Sequence, residues 1–190
     1  MSERPEGRKS ERPGHHYFSA SPQAPSQPTA LRLDLPDVSF SLDADRGVFS
    51  AQRIDPGTKV LLLEAPPPPP AGHLLDLGCG YGPIALTLAS RAPGATVWAV
   101  DVNERALALT QANATAAGLG NVRAVAPDAV PEDVRFAAIW SNPPIRIGKA
   151  ALHHLDTYGN TKPVANPQVA ALDNQKATTK SGDRSPVPDQ

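Results

Sequence analysis

The sequence predicts an α/β domain with a mostly parallel sheet, incomplete at its C-terminal end and preceded by a short β-hairpin. Three observations predict it. Short apolar segments alternate with helical ones from Leu74 onward, the signature of βαβ units and a parallel sheet. A glycine-rich turn, Gly78-Cys79-Gly80-Tyr81-Gly82, joins the first such strand to its helix, which makes the sheet Rossmann-like. The alternation then stops after Leu155.

Taken in order, residues 1–16 are charged and proline-rich and read as a disordered leader. Residues 17–65 read as a hairpin and helix segment. Leu31-Arg32-Leu33-Asp34-Leu35 and Val38-Ser39-Phe40-Ser41-Leu42 alternate with period two, and Pro36-Asp37 between them supplies a turn. Asp55-Pro56-Gly57-Thr58 then leads into the apolar Val60–Leu63, read as helix. Pro66–Pro70 admits neither helix nor central strand, so residues 66–71 form an extended connector.

Residues 72–155 carry the main domain. Leu74–Leu77 is a short buried strand, and Pro83–Ser90 a helix whose first position tolerates proline because that N–H has no helical partner. Thr96–Val100 is the next strand and Glu104–Ala117 the next helix, with Gly118 as its stop. Asn121–Ala126 and Phe136–Trp140 are two further strands, and Gly148–Leu155 opens another helix. Residues 156–190 show no sustained period and read as a disordered or aberrant tail.

A formal net charge of -1 gives no global footprint for nucleic acid. Arg4, Arg8, Lys9 and Arg12 make the leader basic, either a phosphate-binding tail or a solvated end. The single cysteine, Cys79, excludes an intramolecular disulfide, and its place in a tight turn makes it a packing residue rather than a nucleophile. With no signal-like or membrane-length apolar run, a cytoplasmic protein is expected.

Two motifs carry chemistry. In Asp76-Leu77-Gly78-Cys79-Gly80-Tyr81-Gly82-Pro83 the glycines allow a tight turn and a close ligand approach. A dinucleotide fingerprint would place its third glycine at Pro83, so the nicotinamide cofactors fit poorly. Asp101 ends the next strand, where a carboxylate accepts both hydroxyls of a ribose or caps the following helix; Asn103 is better placed for the cap. Asp128, just past the third strand, reads as an exposed loop acid or, by the resemblance given below, as a contact to an adenine amino group.

The second motif is Asn142-Pro143-Pro144-Ile145, directly after the fourth strand. It resembles a motif of methyltransferases that modify planar nitrogens, which implies as target an exocyclic amino group on a base, a poor nucleophile because its lone pair is delocalised into the ring. The Asn142 side-chain oxygen and the Pro143 carbonyl can accept its two N–H bonds and favour the charge that develops on attack. Pro143 and Pro144 stiffen the loop so that both acceptors are aimed in advance.

The acidic D-x-G-x-G-x-G turn resembles motif I of class I methyltransferases, and Asn142–Ile145 resembles the N-P-P-aromatic motif IV of those that modify planar nitrogens. With Asp45-Arg46-Gly47-Val48-Phe49-Ser50, Asp55-x-Gly57-Thr58 and Arg146-x-Gly148-Lys149, the chain is similar to the small-domain methyltransferases from about Tyr17 to His153. That group includes ribosomal RNA guanine-N2 methyltransferases.

The resemblance implies S-adenosylmethionine as cofactor, held by Asp76, Gly78, Gly80, Gly82, Asp101 and Asp128. It implies a catalytic Asn142, Pro143, Pro144 and Ile145, ribosomal RNA or a ribosomal subunit as partner, and no metal. It also implies a seven-strand sheet. Ile145 stands where relatives carry Phe or Tyr, and Ala137 where they carry an acid. The alternatives are adenine N6 or a protein glutamine as target, or a truncated, non-catalytic fragment. Only about four sheet strands are legible, which leaves Phe136–Trp140 as an expected exposed edge.

Overall fold

A computed structural model describes residues 24–142, together with the backbone of two later strands, 168–173 and 176–180. The predicted helix Gly148–Leu155 and the motif residues Pro143, Pro144 and Ile145 lie outside the described residues, as do the basic leader, Lys149 and His153.

The N-terminal hairpin is present. Strands β1 (Pro28–Asp34) and β2 (Ser39–Asp45) pair antiparallel from Pro28↔Asp45 to Asp34↔Ser39. Helix α1 (Pro56–Glu64) follows, with Asp55 at its N-cap accepting from the Thr58 N–H, and the proline run leads out of it without helix or strand over residues 66–70. Strand β3 (Ala71–Leu77), helix α2 (Pro83–Arg91), strand β4 (Gly94–Val100), helix α3 (Glu104–Ala116), strand β5 (Val122–Val125) and strand β6 (Phe136–Ser141) then alternate as the sequence predicts. Gly118, at φ 71°, takes the left-handed turn past α3.

The tail departs from expectation. Strands β7 (Gln168–Asp173) and β8 (Lys176–Lys180) complete a sheet of order β5-β4-β3-β6-β7-β8, parallel except for β8. Strand β7 pairs with β6 from Ala138↔Gln168 to Ser141↔Ala171, so the expected exposed edge is covered. The four apolar residues Val169–Leu172, closed in by Asn166-Pro167 and Asp173-Asn174, are too few to display a period. What makes them a strand is the unpaired backbone of β6, which no pattern within the tail reveals. The sheet still has six strands among the described residues, one fewer than the resemblance implies.

Successive strand residues face opposite sides. Leu74, Val97, Ala99, Ala138 and Trp140 join the larger core with α2 and α3, while Leu75, Trp98, Val100, Phe136 and Ile139 form a second cluster with Val130 and Val134. Leu33, Leu42, Val48, Leu61 and Leu62 belong to the larger core, so the hairpin and α1 share one hydrophobic core with the sheet. The buried Asn113 of α3 bolts the hairpin in place: its side chain accepts from Asp43 N–H at 2.8 Å and donates to the carbonyls of Asp43 and Tyr81. Arg91 of α2 reaches the hairpin turn through Asp37 and the end of α1 through the Leu62 carbonyl.

Candidate active site at the carboxyl edge of the sheet

The register aligns the carboxyl ends of the central strands. Leu77 lies beside Val100, Val100 beside Val125, and Asp76 beside Trp140. The chain therefore leaves β3 at Gly78, β4 at Asp101, β5 toward Asp128 and β6 at Asn142 along one edge. Strands β4 and β6 flank β3 on opposite sides, so strand order reverses there and opens the crevice in which α/β sheets of this kind bind ligands.

The glycine turn is tied to the neighbouring strand. The N–H groups of Gly78 and Cys79 both donate to the Val100 carbonyl, and Gly80 N–H donates to Asp101 Oδ2 at 3.0 Å. Gly78, Gly80 and Gly82 all have positive φ, but they serve different ends. Among the described residues a Cβ on Gly78 would meet nothing within 4 Å, and one on Gly80 only Val48 Cγ1 at 3.9 Å, so both leave an open approach there. A Cβ on the buried Gly82 would lie 2.9 Å from Leu86 Cδ1 and 3.0 Å from Thr110 Oγ1, so this glycine lets α2 and α3 close on the turn.

Asp76 is fully buried on β3 and accepts from Ala85 N–H of α2 at 2.9 Å through Oδ2. Its Oδ1 is a buried oxygen without a hydrogen-bond partner among the described residues. Burial pushes its pKa from 3.8 up to about 8; the Ala85 bond pulls the other way, and the charge of Asp101 adds to the rise. The folded state then holds a proton that the unfolded chain releases between pH 3.8 and about 8, so this group removes stability as pH rises through that window. Asp76→Asn should flatten the pH dependence of Tm between those limits, as thermal melts at pH 4 to 9 would show.

Asp101 is mostly buried too, which raises its pKa against the N–H groups of Asn103, Gly80 and Val102 that lower it. Oδ1 accepts from Asn103 N–H at 2.9 Å and Oδ2 from Gly80. A carboxylate has about four acceptor positions, so beside these three N–H groups one remains for a ligand hydroxyl. The helix cap belongs to Asn103, whose Oδ1 accepts from Arg105 N–H and Ala106 N–H. Its Nδ2 donates to the Gly47 carbonyl and holds the 46–50 loop beside the glycine turn, a link that sequence reading misses. Asp128 is exposed in a single 3₁₀ turn, Pro127–Ala129, past β5 on the same edge. Cys79 is buried, which raises its thiol pKa well above the ordinary value and leaves it a packing residue.

Asn142 emerges beside Ser141, whose hydroxyl donates to the Leu77 carbonyl at 2.8 Å and holds the end of β6 to the start of the glycine turn. The Asn142 Nδ2 donates to Asp55 Oδ2 and to Thr58 Oγ1, each at 2.9 Å. Asp55-x-Gly57-Thr58 was visible in the sequence as a turn and helix start; its grip on Asn142, 87 residues away, was not.

A parallel sheet with a glycine turn at its strand-order reversal, an acid closing the next strand and Asn-Pro-Pro after the fourth together define a Rossmann-like methyltransferase domain. The chain belongs to the methyltransferase small domain family, whose sequence model matches residues 39–167. It is 40% identical over 141 residues to the uncharacterized protein YbxB of Bacillus subtilis, covering 73% of this chain and 70% of that one. It is 36% identical over 127 residues to ribosomal RNA small subunit methyltransferase C of Shewanella halifaxensis, covering 66% of this chain and 36% of that protein.

Among solved structures it resembles the T. thermophilus 16S rRNA N2 methyltransferase RsmC, determined in complex with AdoMet and guanosine. The TM-score is 0.67 at 26% identity, over 80% of this chain and 43% of that one. The chain thus spans less than half the length of these two ribosomal RNA methyltransferases.

Proposed function

We propose that the protein transfers a methyl group from S-adenosylmethionine to an exocyclic amino group, guanine N2 of ribosomal RNA. The observation that carries this reading is the state of the Asn142 amide. Its two N–H bonds have two acceptors, Asp55 Oδ2 and Thr58 Oγ1. Among the described residues nothing donates to its Oδ1. The side chain can therefore offer the crevice an acceptor and no donor, which suits a target that brings its own N–H. An amine held this way attacks with its proton directed at Oδ1, and the acceptor favours the positive charge that develops on nitrogen.

The cofactor supplies an electrophilic methyl group on a sulfonium. Its fit rests on charge and space. The charge of Asp101 raises the pKa of the buried Asp76, and among the described residues Asp76 Oδ1 has no hydrogen-bond partner. An ammonium and a sulfonium complement this pair, whereas the pyrophosphate of a dinucleotide would add to its repulsion. Among the described residues Gly78 and Gly80 leave the approach open, Asp101 has an acceptor position left for a ribose hydroxyl, and Asp128 is exposed on the same edge for an adenine amino group. The guanine and ribosomal RNA parts of the reading draw on the relatives: the T. thermophilus structure is an N2 methyltransferase of 16S rRNA.

Calorimetric titration with S-adenosylmethionine tests the cofactor, with the Asp76→Ala, Asp101→Ala double variant and NAD as controls. Saturable binding that the double variant loses and NAD does not reproduce supports the reading; a folded sample that binds nothing overturns it. Methylation of ribosomal RNA, read as N2-methylguanine against N6-methyladenine and methylglutamine, then tests the target. Product on adenine or glutamine alone would refute guanine.

Binding also has a protonic signature. A cation beside Asp76 favours its ionised form, so the pKa of about 8 should fall and a proton should leave on binding. The apparent enthalpy at pH 7.5 should therefore differ between phosphate and Tris buffers, and affinity should weaken as pH drops from 8 to 6. Identical enthalpies would show that Asp76 does not change charge on binding.

A further inference from the structure

The bonds between the first and last motifs of the site have a directional consequence. A carboxylate oxygen only accepts, and Asp55 Oδ2 already receives the Thr58 N–H at 3.0 Å as the cap of α1. Turning the Asn142 amide over would set Asn142 Oδ1 against Asp55 Oδ2, oxygen against oxygen. One rotamer is therefore favoured, with Nδ2 facing α1.

Thr58 is 5% exposed, while Asp55 and Asn142 are half-buried, so the clamp is buried at its Thr58 end and opens toward the crevice at the other. Gly57 leaves room for it: a Cβ there would lie 2.8 Å from Asp55 Oδ2 and 3.4 Å from both terminal atoms of Asn142. The clamp is anchored as well, because Asp55 and Thr58 start a helix whose Leu61 and Leu62 are in the main core.

We infer that Asp55 and Thr58, with Gly57 giving them space, are positioning residues that lock the Asn142 amide so that only its oxygen faces the reaction centre. The segment before the proline connector is thereby part of the catalytic apparatus, not only a cover for the sheet. Two N–H bonds hold the amide on the side away from the substrate, and the substrate meets an acceptor whose direction is set before it binds. This inference rests on the proposed role of Asn142 as amine acceptor.

The test uses the full-length chain and four variants. Asp55→Ser keeps a side-chain oxygen able to cap α1 but is too short to reach Asn142 as well. Thr58→Val removes the second acceptor and leaves the cap to the backbone N–H. Asp55→Asn keeps an oxygen that accepts from both Thr58 and Asn142 and serves as the conservative rescue. Gly57→Ala displaces the Asp55 carboxylate while adding a better helix former.

Hydrogen exchange of the Asn142 side-chain amide by NMR needs no substrate. Protection in the wild type that is lost in Asp55→Ser and Thr58→Val supports the clamp. A freely exchanging amide in the wild type, or one unchanged in both variants, overturns it. In turnover assays kcat should fall about ten- to a hundredfold in Asp55→Ser and Gly57→Ala. Cofactor affinity should stay near wild type in both and Tm in Asp55→Ser, which keeps the cap, while Asp55→Asn should retain most of the activity. Wild-type kcat in Asp55→Ser would also overturn the inference. A wild type that methylates no amine would refute the proposed function, and the exchange measurement alone would then decide the clamp.

Discussion

Asn142→Ala should lower kcat by about 10²–10³ while cofactor affinity stays within about twofold of wild type. The magnitude is that of removing one preorganised polar group aimed at developing charge. Asn142 is held at its amide end by Asp55 and Thr58, and its oxygen has no donor among the described residues. On the proposed role the substitution removes the acceptor for the target amine, and it removes none of the hydrogen bonds that tie the glycine turn to the Val100 carbonyl and Asp101. Single-turnover assays with saturating RNA and cofactor, set beside calorimetry, separate the two effects. A variant that loses cofactor binding and turnover in parallel would place Asn142 in the cofactor site instead.

Gly82→Ala is expected to be the most destabilising single change at the turn. The position has φ 94°, which costs a non-glycine residue about 1–3 kcal/mol. The added methyl would also press on Leu86 and on both branches of Thr110, at 2.9 to 3.1 Å, and such overpacking costs about 1–3 kcal/mol more. Thr110 cannot yield readily, because its hydroxyl donates to the Gly80 carbonyl at 2.9 Å.

For a chain of this size the sum corresponds to a Tm lower by about 5–15 °C. Gly78→Ala is the contrast. Its Cβ would meet nothing within 4 Å, so it bears the backbone strain alone and should stay folded. Its methyl would stand in the open approach and weaken cofactor binding by about tenfold or more. Thermal melts and calorimetry on the two variants read these opposite balances. Equal Tm losses would show that the space around Gly82 relaxes.

Much of the fold was legible because each element from β1 to β6 announces itself locally. Leu31–Leu35 alternates, Pro83 and Asn103 mark helix starts, and Gly118 marks a helix end. Strand β7 escaped because four apolar residues carry too little pattern, and because β8 begins in the polar Lys176-Ala177-Thr178-Thr179-Lys180. The site divided in the same way. Asp76 sits on the expected strand, and Gly78, Gly80, Asp101 and Asn142 sit just past the ends of the expected strands. The different task of Gly82 is not written in the spacing, since Leu86 and Thr110 reach it from two helices.

By itself the sequence determined the alternation of strand and helix, the glycine turn, and the acid and amide that end the neighbouring strands. These are local matters: backbone conformation at glycine and proline, hydrophobic period, and residue type at a strand end. Only the tertiary structure decided what holds the Asn142 amide, why Asp76 carries a raised pKa, and what pairs with the edge of β6. Each of those depends on what packing brings together: Asp55, 87 residues from Asn142; burial against α2 for Asp76; and the segment 168–173 for β6. A hydrogen bond fixes direction and burial fixes charge only once packing has brought distant residues together, so neither can be read from the order of residues alone.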